Sequence, residues 1–202
     1  MGRRPSRVVP AGLDAGSGLI GRQRSRGRAQ FFGHSRRGGV RRWEDASMRV
    51  HIGTDHAGFQ LKEYLKEQLT AAGFEVVDHG SLTYDALDDY PDTCIPAAQA
   101  VVAEPGSLGI VIGGSGNGEQ LAANKVQGCR AILSWNTDTA RLGREHNNAN
   151  VISFGARFTA PEFALDQAVT FLNTEFMGGK HARRVDKMEH YSATGILGEQ
   201  GV

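Results

Sequence analysis

From Met48 onward the chain alternates short apolar runs with amphipathic stretches, and this alternation restricts the fold more than any other feature. Apolar runs at residues 49–53, 75–80, 108–114, 129–135 and 150–156 read as strands. The patterning at 57–73, 90–106, 119–126, 137–148 and 161–176 reads as helix. The first helical stretch places Leu61, Tyr64, Leu65 and Leu69 on one face and closes at Gly73, a glycine stop. Pro161 suits the first turn of the last stretch, and a charged segment at 180–191 follows. Strands separated by helices form a parallel sheet covered on both faces. The expected class is therefore α/β: a single, doubly wound domain with a five-stranded parallel sheet. Ligands in such sheets sit beyond the carboxyl ends of the strands. The segments to inspect are thus 54–58, 80–90, 113–120, 135–138 and 155–158.

The charge is divided unevenly. Residues 1–47 carry 11 of the 23 Lys+Arg and 3 of the 22 Asp+Glu, a charge of +8 against −7 for residues 48–202. That first segment is rich in Arg, Gly and Ser and lacks apolar periodicity, so we expect a disordered basic extension. Four readings stand open: a tail without specific role, a nucleic-acid tail, a transit peptide, or an extension from a misassigned start with Met48 as the working first residue. We carry the last forward, with residues 48–202 as one domain. The sequence shows no h-region and no apolar run long enough for a membrane span, so a cytoplasmic protein with neither membrane nor nucleic-acid partner is expected. Cys94 and Cys129 form neither a metal set nor a disulfide framework and are expected to be small buried hydrophobes. The seven His show no HxxxH or HExxH spacing, so no metal is expected.

The segment "GGSGNGEQ" (113–120) follows an apolar strand directly. It fails the dinucleotide pattern, because the last glycine position falls on Glu119 or Leu121. It resembles a P-loop in the spacing of Gly113 and Gly118, but Glu119–Gln120 stand where Lys–Ser/Thr would bind phosphates. A carboxylate there repels a triphosphate. Exposed backbone N–H groups at the start of a helix still form an anion hole. Glu119 in that first turn is either a helix cap or a base beside the hole. A base that moves a proton between C1 and C2, with N–H groups holding an enediolate oxygen, is what an aldose–ketose isomerase needs. Companions exist: Asp55 and His56 end the first strand, His146 and Asn147 end a helix, Arg157 follows the fifth strand, and Lys180, Arg183 and Arg184 open the last segment. A His could open a sugar ring and the cations could clamp a phosphate. We expect all of them on one rim.

The stretches "GTDHAG" (53–58), "DDYPD" (88–92), "GIVIGGSGNGEQLAANKV" (109–126), "REHNNANVISFGAR" (144–157) and "RRVDKM" (183–188) resemble the ribose-5-phosphate isomerase B family, which includes galactose-6-phosphate isomerase subunits. The resemblance runs from Met48 to about Tyr191. It implies a Rossmann-like three-layer α/β/α sandwich and no cofactor. It also implies a homodimer or homotetramer with its active site at the subunit interface. Many members carry a cysteine base in the glycine loop; Ser115 stands there in this chain. The loop resembles the branch with "GGSGNGE", in which the residue matching Glu119 is the base and the serine assists by a hydrogen bond. The resemblance implies that His146 opens the furanose ring. It assigns substrate contacts to Asp55, Gly114, Ser115, Gly116, Asn117, Gly118 and Asn147, and substrate or phosphate contacts to His56, Arg157 and Arg184. Tyr90 lies near the pocket, and Lys180 stands where close relatives carry a phosphate-binding Arg. The implied reaction interconverts D-ribose 5-phosphate and D-ribulose 5-phosphate in the pentose phosphate pathway. Another phosphorylated sugar, or a non-catalytic sugar-phosphate-binding role, is the alternative.

Overall fold

Every residue of Leu108–Gly113 is buried, and so is every residue of Val151–Gly155. Continuous burial is what strands covered on both faces require, and it is why they read as unbroken apolar runs. The computed structural model describes residues 48–198, so the expected basic extension at 1–47 lies outside the described residues. The elements in chain order are β1 (Arg49–Thr54), α1 (Phe59–Ala71), β2 (Glu75–Asp78), α2 (Pro91–Ala103), β3 (Leu108–Gly113), α3 (Asn117–Ala123), β4 (Ala131–Leu133), α4 (Thr137–Asn147), β5 (Val151–Gly155), α5 (Pro161–Asn173) and α6 (Lys180–Thr194). A 3-10 turn at His56–Gly58 joins β1 to α1.

All strand pairs are parallel, in the order β2-β1-β3-β5-β4. One core fills the side covered by α1, α4 and α5, where Leu61, Leu65, Leu69, Phe171 and Leu172 pack on Ile52, Ile110 and Ile152. The other fills the side of α2 and α3, where Cys94, Ala97, Ala98, Val101 and Ala123 pack on Val111 and Val151. Each fully buried large aliphatic contributes about 1.5–3 kcal/mol of transfer free energy. Both cysteines are buried, as the sequence indicates, and burial pushes each thiol up to about 12.

The chain enters at β1, steps to β2 on one side, then returns to β3 on the other. That reversal makes the gap between β1 and β3 the switch point of the sheet. The segments leaving these strands, 55–58 and 114–116, therefore flank a crevice at the carboxyl end of the sheet. The helix at the glycine turn starts at Asn117, two residues earlier than its sequence pattern suggests, because Gly116 serves as its N-cap. Among the described residues no helix is long and apolar enough to cross a membrane.

Candidate active site

Gly116 adopts φ 80, ψ −10, a left-handed conformation that a side chain disfavours, and so turns the chain sharply from β3 into α3. The turn places Glu119 in the first helical turn and folds its carboxylate back over Gly113. A Cβ at Gly113 would overlap the Glu119 carboxylate, so the glycine makes room for it. Glu119 is 4% exposed, and its Oε2 has no hydrogen-bond partner. Burial, aided by the nearby Asp55 charge, raises the carboxyl above its ordinary range, against the lowering effect of backbone N–H groups at Glu119 and Gly116. A buried acid with one unused oxygen at a switch point is a candidate proton acceptor.

The remaining walls at this end come from three elements. Asp55 is buried at the end of β1 and accepts a hydrogen bond from Ala57 N at 3.0 Å. His56 follows it, with Nδ1 2.8 Å from Asp88 Oδ1. Tyr90 closes the segment before α2 with its ring against Gly118, where an added Cβ would lie 2.8 Å from Tyr90 Cζ. Arg157 leaves β5 with its guanidinium over Gly114 and its backbone N–H on Gly114 O at 3.2 Å. Ser115 Oγ, exposed on the turn, accepts from Asn117 N and Nδ2 at 3.3 Å each. The structure thus brings together Asp55, His56, Tyr90, Gly114, Ser115, Gly116, Asn117, Gly118, Glu119 and Arg157.

The other candidates lie elsewhere, and the one-rim expectation is corrected. α4 starts at the carboxyl end of the sheet, and its eleven residues at about 1.5 Å each carry the chain ~16 Å to the amino end. His146 and Asn147 occupy its last turn, just before Asn150 pairs with Arg130 at the start of β4. α5 makes the same descent, so Lys180, Arg183 and Arg184 open α6 at that end too. There the His181 ring stacks on His146, with centroids 4.1 Å apart and planes 3° from parallel. Burial first, then the charges of His146, Lys180 and Arg184, hold His181 below the ordinary imidazole range. Among the described residues this histidine–cation cluster and Glu119 thus stand at opposite ends of the sheet.

Two participants escaped the sequence reading. Asp88 sits among several acids in "DDYPD", and nothing local marks it as the one facing His56. His181 stands next to basic residues that suggest a solvated helix face, yet it is 6% exposed.

A family model described as Ribose/Galactose Isomerase matches residues 50–188. Ribose-5-phosphate isomerase B of Mycobacterium tuberculosis (strain ATCC 25618 / H37Rv) is 51% identical over 150 residues, which cover 74% of this chain and 93% of that protein. Its counterpart in Mycobacterium leprae is 48% identical, covering 74% and 93%. The crystal structure of ribose-5-phosphate isomerase B from Mycoplasma genitalium with bound ribulose-5-phosphate superposes with a TM-score of 0.71 at 40% identity, covering 73% of this chain and 98% of that one. Fold, glycine turn and overall likeness agree, and the chain belongs to the ribose/galactose isomerase family.

Proposed function

We propose that the protein interconverts D-ribose 5-phosphate and D-ribulose 5-phosphate through an enediolate, serving the pentose phosphate pathway. The observation that carries this is the Glu119 carboxylate, buried against the glycine turn with Oε2 unpaired. In the open-chain aldose this oxygen takes the proton from C2. The electron pair moves toward the C1 carbonyl, whose oxygen becomes negative. N–H groups of the glycine turn stabilise that oxygen, and Ser115 assists. Transfer of the C2 hydroxyl proton to O1 and return of the carbon-bound proton to C1 then give the ketose, with the carbonyl at C2. A raised pKa suits Glu119 to this, since a base nearer the working pH both accepts and returns a proton readily.

His146 opens the furanose ring, with Asn147, Lys180 and Arg184 as further substrate and phosphate ligands. They lie at the far end of the chain that carries Glu119, so we propose that a second copy supplies them. A two-fold pair of copies, each setting its amino end against the other's glycine turn, completes two sites at once. Leu121, Trp135 and Phe158, all exposed apolar side chains of segments at or following the carboxyl end, support contact with a partner there. The homodimer, or a homotetramer built from it, is thereby part of the proposed site. Residues 48–202 form the isomerase domain of this proposal, in a cytoplasmic protein that needs no cofactor.

A second reading keeps the chemistry and changes the sugar. Lys180 offers a point charge where a guanidinium would give a two-pronged grip on phosphate. Turnover of ribose 5-phosphate, allose 6-phosphate, galactose 6-phosphate and an aldotetrose phosphate by the full chain separates the two. A kcat/KM for ribose 5-phosphate higher by about tenfold, near 1.4 kcal/mol, supports the pentose assignment. A higher value for another sugar overturns it.

A further inference from the structure

His56 is held on two sides by one carboxylate. Asp88 Oδ1 accepts from the His56 backbone N–H at 2.8 Å and lies 2.8 Å from the ring Nδ1. A carboxylate is an acceptor, so Nδ1 must carry the hydrogen at that contact. Among the described residues the ring's other nitrogen, Nε2, has no hydrogen-bond partner, and the side chain is 30% exposed. Asp88 is in turn fixed: Ser81 Oγ donates to its Oδ2. Ser81 is tied down from beneath, because Lys62 Nζ donates to Ser81 O at 2.7 Å and to Asp78 Oδ2 at 2.7 Å. Lys62 is fully buried, a costly position for an ammonium unless paired in this way. A braced line thus runs from the interior of α1 to the rim: Asp78, Lys62, Ser81, Asp88, His56.

We infer that Asp88 is a positioning residue for His56, fixing its ring with Nδ1–H on the carboxylate so that a protonated Nε2 is offered as a cationic ligand to an anionic oxygen of the substrate. The inference rests on the proposed sugar-phosphate reading for its ligand, and on the observed geometry for the dyad itself. The groups facing the ring are Asp88, Asp55 and the Tyr84 edge, 6.4 Å away. The Asp88 hydrogen bond, and more weakly the Asp55 charge, hold the imidazole above its usual range, against desolvation. Burial pushes the Asp88 carboxyl up, but the Ser81 hydroxyl and the His56 contacts outweigh it and keep the carboxyl below its ordinary range. The dyad therefore stays an ion pair as pH rises past the titration of a free histidine, and its cation is lost only above that point.

The test is a histidine NMR titration of the full chain, wild type against Asp88→Asn, with the His56 signal identified by its loss in His56→Asn. Asp88→Asn is expected to move the His56 midpoint to lower pH and to loosen the fixed tautomer. Inorganic phosphate, used as the probe, is expected to perturb His56 in the wild type more strongly at pH 6 than at pH 8. The KM for ribose 5-phosphate is expected to rise about tenfold with kcat nearly unchanged, the scale of one charge-assisted hydrogen bond. Asp88→Glu is expected to restore part of both. If Asp88→Asn fails to fold, Ser81→Ala supplies the same titration with a smaller shift in the same direction. An unchanged midpoint and tautomer, or a fall in kcat with KM unaltered, overturns the inference. The titration needs no substrate. If the wild type leaves ribose 5-phosphate untouched, the proposed reaction fails while the dyad is still decided.

Discussion

The two ends of the sheet carry opposite kinds of polar group. At the carboxyl end the Glu119 carboxylate is buried, and its companions are pinned by hydrogen bonds to loops that leave strands. At the amino end Asn147, Lys180 and Arg184 stand exposed on helices, with His146 partly covered by His181. The first environment raises a pKa and fixes geometry, which proton transfer from carbon requires. The second offers exposed charge, suited to gripping an incoming anion. Under the proposed function each end supplies half of an isomerase site, and the proposed pair of copies joins the halves.

The largest expected effect breaks the carboxyl end alone. Glu119→Gln should lower kcat by roughly 10²–10⁴-fold in a ribose 5-phosphate assay, the usual range for a general base. Wild-type kcat/KM should fall as pH drops through the raised Glu119 pKa, because only the carboxylate accepts a proton. The stability sign is opposite. Below its unfolded pKa the protonated acid contributes stability, and this is lost as pH rises through the folded pKa. At pH 7 Glu119→Gln should therefore melt no lower than wild type, and a melting scan showing a clear loss would contradict that.

The next effect isolates the amino end. His146→Ala should slow ribose 5-phosphate by about 10²-fold. It should spare an aldotetrose 4-phosphate, which cannot close a furanose ring and needs no opening. Equal losses on both sugars would give His146 another role. Smaller still, Arg184→Ala should raise KM about tenfold with kcat little changed, as measured by steady-state kinetics. Lys180→Arg should lower KM modestly if the clamp is a phosphate site. Least of all, iodoacetamide should leave activity largely intact, because both thiols are buried with pKa values near 12. Rapid inactivation prevented by substrate would contradict a carboxylate base.

The fold was legible because parallel strands buried on both faces leave unbroken apolar runs, as "LGIVIG" does in β3. The glycine turn was legible for a different reason: two phosphate fingerprints failed at or next to Glu119, and the failure singled out that carboxylate. Lys62 was not. It adjoins the Leu61–Leu65–Leu69 stripe of α1 and reads as solvated, whereas its partner Asp78 lies 16 residues away on β2. The choice of Asp88 over its acidic neighbours depends on how the 80–90 segment folds over His56, and local pattern carries no trace of that. The placement of the candidates at opposite ends of the sheet was within reach. A residue in the last turn of a helix that precedes a parallel strand lies at the amino end of the sheet. His146 and Asn147 meet that condition by position alone.

Complementation tests the shared site most directly. Glu119→Gln and His146→Ala chains, carrying different tags, are co-expressed, and the dimer bearing both tags is purified and assayed on ribose 5-phosphate. A site built from two copies leaves one of its two sites with both residues intact, so turnover should recover to about half of wild type. If the mixed dimer stays at the level of the two inactive parents, each site is built within one chain and the account of two half-sites is wrong.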